Sequence, residues 1–353
     1  MRTSSMSASQ TNTVLLREKQ FFWFIVGAFL LLILSVFFAA GAGRAELTVV
    51  DLFQILFVCP GSSHECAIDA INHQIVWEIR LPRIMMAMIT GAGLSICGAI
   101  LQSVTRNPLA DPYLFGISSG ASLGAVIAMS IIANGVISVT FGAMLGGALS
   151  VVLMLVLAGK AATQVERLLL SGVAVSFMLS AFTSLILYYS SPEKAATLLF
   201  WMMGSFSNSQ WHQLLLPSLF LIAAIILFTV YRRWIGAMQA GDESAQTLGI
   251  PVNQLRLFML LVCAALTAVI VAHVGGIGFV GLMIPHIARF IVGAQIHRMI
   301  AMSLFLGGSF MIWVDVIARS LLSNQVLPVG IVTSAVGSLF FFIILKRRTK
   351  IIA

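Results

Sequence analysis

The sequence predicts an all-α polytopic membrane protein with ten transmembrane helices. Of 353 residues, 59% are apolar and only 9% charged, with a mean hydropathy of +1.03. A soluble domain carries about 25% charged residues, so this chain has too few to cover a water-facing surface. At about 20 apolar residues per span, the composition sets a ceiling of about ten crossings. A soluble enzyme, a disordered chain and a disulfide-stapled secreted module are excluded.

Residues 1–20 are polar, rich in Ser and Thr, and read as a cytoplasmic tail carrying Arg2, Arg17 and Lys19. Phe21 to Gly43 then runs without a charge. That run exceeds the roughly 7–15 residues of a signal-peptide core, so it reads as a retained first span. Arg44 to Glu78 is mostly polar, with an amphipathic piece at Leu47–Val58 expected on the outer surface. The second span, 82–104, is rich in small residues and leads into the turn Arg106-Asn107-Pro108-Leu109-Ala110-Asp111-Pro112. Spans three to five fall at 113–132, 136–158 and 167–190. Ser191 to His212 reads as an external aromatic stretch, and the sixth span, 213–231, ends at Arg232-Arg233. After the polar segment 234–253, the last four spans fall near 254–275, 279–294, 299–322 and 328–345. Residues 21–348 thus form one membrane domain, and 349–353 a second cytoplasmic tail.

The charges agree with this topology. Only Arg44, Arg80, Arg83, Lys194 and Arg319 of the 20 Lys+Arg fall outside, as the positive-inside rule requires when both termini are cytoplasmic. The net charge of +8 therefore reflects membrane orientation, and no aromatic-interleaved basic stretch points to nucleic acid. Gly120-xxx-Gly124 and Gly142-xxx-Gly146 place small residues on one helix face and read as packing surfaces. Cys97 and Cys263 lie in apolar runs as small buried hydrophobes. Cys59 and Cys66 flank a polar turn, where an oxidising compartment would permit a disulfide and a reducing one would leave two thiols.

The sequence also constrains the energy source. Ion-coupled carriers bury carboxylates along their path. Asp315 is the one acid well inside a span, and Arg319 lies four residues on, so the two read as a self-neutralised pair. No G-x-x-x-x-G-K-[ST] loop is present. ATP must then act through a separate subunit, and 234–253 is the segment such a subunit would grip. Within it, Gly241 to Ile250 reads as a short helix with Asp242 as cap, Glu243 in the first turn and Gly249 as terminator. An intramembrane enzyme would need paired catalytic groups at depth. His273 and His286, the spanning histidines, have no nucleophile at helical spacing and read as structural; no catalytic or metal-ligating set emerges.

Several segments together carry a resemblance. They are Arg80-Leu81-Pro82-Arg83, Gly91-Ala92-Gly93-Leu94 through Gly98 and Gln102, and Asn107 to Pro112. Gly116 with Gly120-Ala121, Trp201 to Phe206 and Gly241 to Gly249 follow in order. Gly278 to Leu282 with Pro285-His286 and Arg289, Asp315 with Ala318-Arg319, and Leu327 to Ile331 complete the set. Over about residues 20–348 the chain resembles the permease subunits of bacterial ABC importers for iron-siderophores, haem and vitamin B12. The resemblance implies a type II importer fold, with spans 2–5 and 7–10 as inverted halves. It implies a second permease subunit, a homodimer by default, two cytoplasmic ATPase subunits that bind ATP and Mg, and a periplasmic substrate-binding protein. The chain itself would hold no cofactor and catalyse no bond-making.

Residue roles follow from the same resemblance. Arg80, Arg83 and Arg319 match arginines that dock the binding protein, so reversing the charge of Arg80 and Arg83 is expected to abolish substrate-stimulated ATPase activity in a folded permease. Gly241, Asp242, Glu243, Ala245, Leu248 and Gly249 match the second of two short coupling helices, joined to the first around Ala237–Gly241. Asn107 and Leu109 match a cytoplasmic gate, and Val165 and Glu166 a second constriction. Val165 and Glu166 are a bulky apolar residue and a carboxylate, where some relatives carry small hydroxyl residues. The expected cargo is an iron-chelate, siderophore iron ahead of haem, moved across the inner membrane of a Gram-negative bacterium by alternating access. Cobalamin, molybdate and an ion-coupled carrier are the alternatives.

Overall fold

The computed structural model describes residues 8–43, 48–58, 70–130, 138–159, 164–322 and 325–352. The long apolar run near the N-terminus forms α1 (Ala8–Gly41). The polar stretch that follows contains α2 (Val49–Phe53) and α3 (Ala70–Gln74). Wider π-type turns extend α2 over Gln54–Val58 and join α3, through Ile75–Arg80, to α4 (Leu81–Thr105). Next come α5 (Ile117–Ser130), α6 (Val139–Ala158), α7 (Val165–Tyr189), α8 (Pro192–Met202) and α9 (Leu215–Val230). Two short helices, α10 (Arg232–Gln239) and α11 (Asp242–Thr247), precede α12 (Val252–Val274), α13 (Val280–Val292), α14 (Ile296–Ser320) and α15 (Val329–Ile352).

Ten of these helices occupy the ten predicted spans. Seven candidate spans are long and apolar enough to cross a bilayer, and α5, α13 and the apolar part of α15 are shorter. At 1.5 Å per residue, the 13 residues of α13 reach about 20 Å, short of a hydrocarbon layer of about 30 Å. Backbone breaks account for the shortening. Phe279 caps α13 with φ 69°, and a 3-10 turn at Pro112–Phe115 replaces the first turn expected of the third span.

Burial sorts the helices into a core and a rim. The most apolar 18-residue stretch of the α3–α4 segment is 89% buried, against 17% for α1 and 22% for α9. A helix apolar all round is buried among others or faces lipid, and both kinds are present. Glycines let backbones approach at the core: a Cβ at Gly98 would lie 1.8 Å from the Gly281 carbonyl oxygen. The small-residue motifs of α5 and α6, read as packing surfaces, pack against each other, Gly120 against Gly146 and Gly124 against Gly142. Cys97 and Cys263 are buried where α4 crosses α12, each thiol directed at the other residue's carbonyl, at 3.7 and 3.8 Å.

The 191–212 stretch, read as external and aromatic, lies at the Arg83 end of α4, where Arg83 Nη1 donates to Ser207 Oγ (3.3 Å). It is folded there into α8 and a turn that packs into the bundle, with Leu198 and Phe206 fully buried. Its backbone closes the gaps left by the broken helices. Ser205 N–H donates to Val274 O (2.9 Å), Val329 N–H to Gly204 O (3.0 Å) and Gly330 N–H to Met203 O (3.0 Å). Non-helical backbone inside a membrane bundle needs such partners, because lipid offers none.

Candidate functional site

At one end of the bundle the 106–112 turn, α10 and α11 converge. Gly241 caps α11 with φ 130°, and the Asp242 side chain makes no capping hydrogen bond, contrary to the sequence reading. The carboxylate instead accepts two hydrogen bonds from Arg256 Nη2 of α12 (2.7 and 2.8 Å) and lies 3.4 Å from Arg106 Nη2. Arg256 is buried and also donates through Nε to Val104 O at the end of α4 (3.0 Å). Gln239 Nε2 donates to Ser103 Oγ (2.9 Å), tying α10 to α4. The short helices are thus bolted to the ends of two core helices. Ala245 faces inward and is fully buried, while Leu248 is 72% exposed. Gly249 takes φ 75°, as a terminator should, and its N–H donates to Gln246 O (2.9 Å). Glu243 is exposed in the first turn. The first short helix begins at Arg232, so only Ala240 and Gly241 separate it from α11.

The residues expected to form a gate meet in part. Asn107 and Glu166 line one open cleft of about 790 Å³ together with Asp242, Asn253 and Arg256. Asn107 Oδ1 accepts from Leu109 N–H (2.9 Å), folding the turn on itself and leaving Leu109 59% exposed. Leu109 does not line that cleft, and the Val165 side chain lies outside the described residues. In the same turn, Asp111 accepts from Tyr113 N–H (2.8 Å), and burial raises its carboxyl to about 6. Tyr113 Oη in turn accepts from Ile277 N–H (2.7 Å).

The three arginines predicted to dock a partner lie together at the opposite end of α4, and their side chains turn inward. Arg80 is buried and donates to the carbonyls of Ala40 (2.7 Å) and Gly41 (3.1 Å). Arg319 donates to the carbonyls of Ala42 (2.9 Å) and Ala39. Both thereby satisfy acceptors that the C-terminus of α1 would leave open. Arg83 holds Asp315 through Nε (2.8 and 3.0 Å) and Nη2 (2.7 Å), whereas Arg319 Nε stands 3.6 Å away. Asp315 is therefore shared, with Arg83 as its close partner, and the i,i+4 pair read from the sequence is the looser one. A carboxylate at position 80 would face the Ala40 and Gly41 carbonyls. Reversing that charge would disturb the fold as well as any docking.

Sequence spacing gave no sign of the Arg83–Asp315 and Asp242–Arg256 pairs, since each joins different helices. Among the described residues, no group of three or more His, Cys, Asp or Glu is placed to hold a metal. Arg44, Cys59 and Cys66 lie outside the described residues. His273 Nδ1 is 2.8 Å from Val269 O, and the His286 ring packs edge-on against Phe290.

A model of the FecCD transport family matches residues 31–347. The cobalamin import system permease protein BtuC of Halobacterium salinarum is 39% identical over 277 residues, covering 78% of this chain and 74% of that protein. The hemin transport system permease protein HmuU of Yersinia pestis is 36% identical over 290 residues, covering 80% and 86%. Among solved structures, an inward-facing ABC transporter described as of the metal-chelate type superposes with a TM-score of 0.80. It is 29% identical, covering 92% of this chain and 98% of its own.

Proposed function

We propose that this chain, which belongs to the FecCD transport family and is an ABC importer permease, carries an iron-chelate, either a siderophore complex or haem, across a bacterial inner membrane. ATP hydrolysis on two separate cytoplasmic subunits drives it, and a periplasmic binding protein delivers the cargo to a dimer of this chain. The names of the Yersinia relative and of the metal-chelate neighbour favour iron-chelate cargo. The observation that carries the coupling role is the anchoring of α11. Asp242 links it to Arg256 of α12 and, through Arg256, to the end of α4, while Leu248 stays exposed. A displacement applied at α11 is passed to two core helices instead of being absorbed by a slack loop. Asn107 and Glu166 border the cleft beside it, a position suited to narrowing a path when α11 moves. Arg80, Arg83 and Arg319 mark the docking end, where electrostatic complementarity sets orientation and encounter rate more than affinity.

The test is ATP hydrolysis by the complex reconstituted with its ATPase and binding-protein partners, screened against ferric siderophores, haem, cobalamin and molybdate. An iron-chelate should give the largest stimulation. Leu248→Asp should reduce stimulated hydrolysis at least tenfold without changing Tm, because the side chain is exposed. Stimulation by cobalamin or molybdate alone would overturn the cargo, and full stimulation in Leu248→Asp would overturn the coupling role.

A further inference from the structure

Beside the coupling segment lies a cavity that the transport assignments leave unused. The end of α4, the 106–108 turn, α10 and α13 border an open cavity of about 460 Å³, lined by Gln102, Arg106, Gln239, His286 and Arg289, with Phe290 also on the wall. Its lining contains two guanidinium groups and no carboxylate. Arg289 Nε is fully buried without a hydrogen-bond partner. Gln102, only 2% exposed, spends its Nε2 on long contacts to the Gly281 and Leu282 carbonyls (3.3 and 3.4 Å). Its buried Oε1 has no partner.

An unmet buried polar atom costs about 1–3 kcal/mol. Both atoms belong to residues that line this one cavity, and a small turn of either side chain would bring them to a ligand seated there. A basic residue in the last turn of α13 complements the helix terminus, which explains the position of Arg289 but not its open Nε. Arg106 is only partly neutralised, by Asp242 at 3.4 Å. Phe290, on the cavity wall, is 74% exposed.

The geometry points to a binding site for a phosphate group that carries a neighbouring hydroxyl. Arg289 and Arg106 donate to the phosphate oxygens, as guanidinium groups do in charge-assisted pairs, and Gln102 Oε1 accepts from the hydroxyl. Two sources share this chemistry: free inorganic phosphate, and an anionic phospholipid headgroup such as phosphatidylglycerol. Basic pockets between helices near a charged membrane face take such headgroups. The site adjoins Arg106 and Asp242, so its occupant would sit against the anchor of α11.

The test is thermal unfolding of the full chain, purified in a neutral detergent and titrated separately with phosphatidylglycerol, phosphatidylcholine and inorganic phosphate. At about 100 times Kd, a specific ligand should raise Tm by roughly 4 °C. Arg289→Gln and Gln102→Leu should each remove most of that rise; the second leaves net charge unchanged and decides the matter if the first does not fold. A rise with phosphatidylglycerol alone, lost in the variants, identifies a lipid site. A rise with inorganic phosphate, lost in the variants, identifies a free-phosphate site. No rise with either probe, or equal rises in wild type and both variants, overturns the proposal and leaves a cavity filled by water.

Discussion

At the scale of single residues, the buried charges at the Arg80 end each answer a specific need of the fold. Asp315 is 1% exposed, and a buried carboxylate stripped of its partner costs about 3–5 kcal/mol. Arg83 removes that penalty while Arg80 and Arg319 close the end of α1. Asp111 shows the opposite balance. Its hydrogen bond from Tyr113 N–H favours the carboxylate, but burial dominates and the carboxyl rises to about 6 from 3.8. A raised carboxyl binds its proton more tightly in the folded than in the unfolded chain. Folding is therefore favoured by the neutral form, and this contribution is lost as pH rises through about 4 to 6. Asp111→Asn keeps the acceptor oxygen and removes the charge. The Tm of the variant minus that of wild type should climb between pH 4 and 6 and level off above, as followed by intrinsic fluorescence. A pH-independent difference would refute the burial argument.

At the scale of elements, the sequence revealed apolar length and small-residue faces but not where helices break. Phe21 to Gly43 and 299–322 were legible because uninterrupted apolar runs have one reading in a bilayer. The third and eighth spans start after a backbone break that hydropathy does not show. Their shortening depends on Phe279 adopting a positive φ and on the 3-10 turn at Pro112, and neither is encoded in hydropathy. The plug at 191–212 was missed for a related reason: Leu198 and Phe206 look like surface aromatics and aliphatics until the gaps beside α12 and α15 are known. Close packing, by contrast, was readable from glycine spacing, and it can be tested directly. A Cβ at Gly98 would lie 1.8 Å from the Gly281 carbonyl oxygen, deep inside contact distance, whereas one at Gly27 meets nothing within 4 Å. Gly98→Ala should cost at least the upper end of the roughly 1–3 kcal/mol typical of overpacking, lowering Tm by several degrees. Gly27→Ala should be neutral or gain up to about 1 kcal/mol from helix propensity. Equal Tm values for the two variants would mean that α4 and α13 do not touch as described.

At the scale of the whole molecule, function depends on which end of the bundle faces which solution. The Asp242 anchor and the Arg80–Arg83–Arg319 cluster lie at opposite ends of α4, joined by a helix buried nearly throughout. Arg106, Arg232, Arg233 and Arg256 all lie toward the α11 end, so the positive-inside rule assigns that end to the cytoplasm as an expectation. The family assignment was legible from motif order, because the matching segments are spread over the whole membrane domain. The pairing of distant charges was not, because Arg83 and Asp315 are 232 residues apart. Orientation is the premise that every role assigned to α11 shares, and thiol labelling reads it. In a background with Cys59 and Cys66 replaced by Ser, Cys97 and Cys263 are buried and should stay silent. Leu248→Cys replaces an exposed side chain beyond α11, and Lys194→Cys an exposed one on α8. A membrane-impermeant maleimide added to intact spheroplasts should label Lys194→Cys and leave Leu248→Cys unmodified until the cells are lysed. Labelling of Leu248→Cys in intact spheroplasts would turn the molecule over, place α11 out of reach of any cytoplasmic ATPase, and remove the coupling mechanism with it.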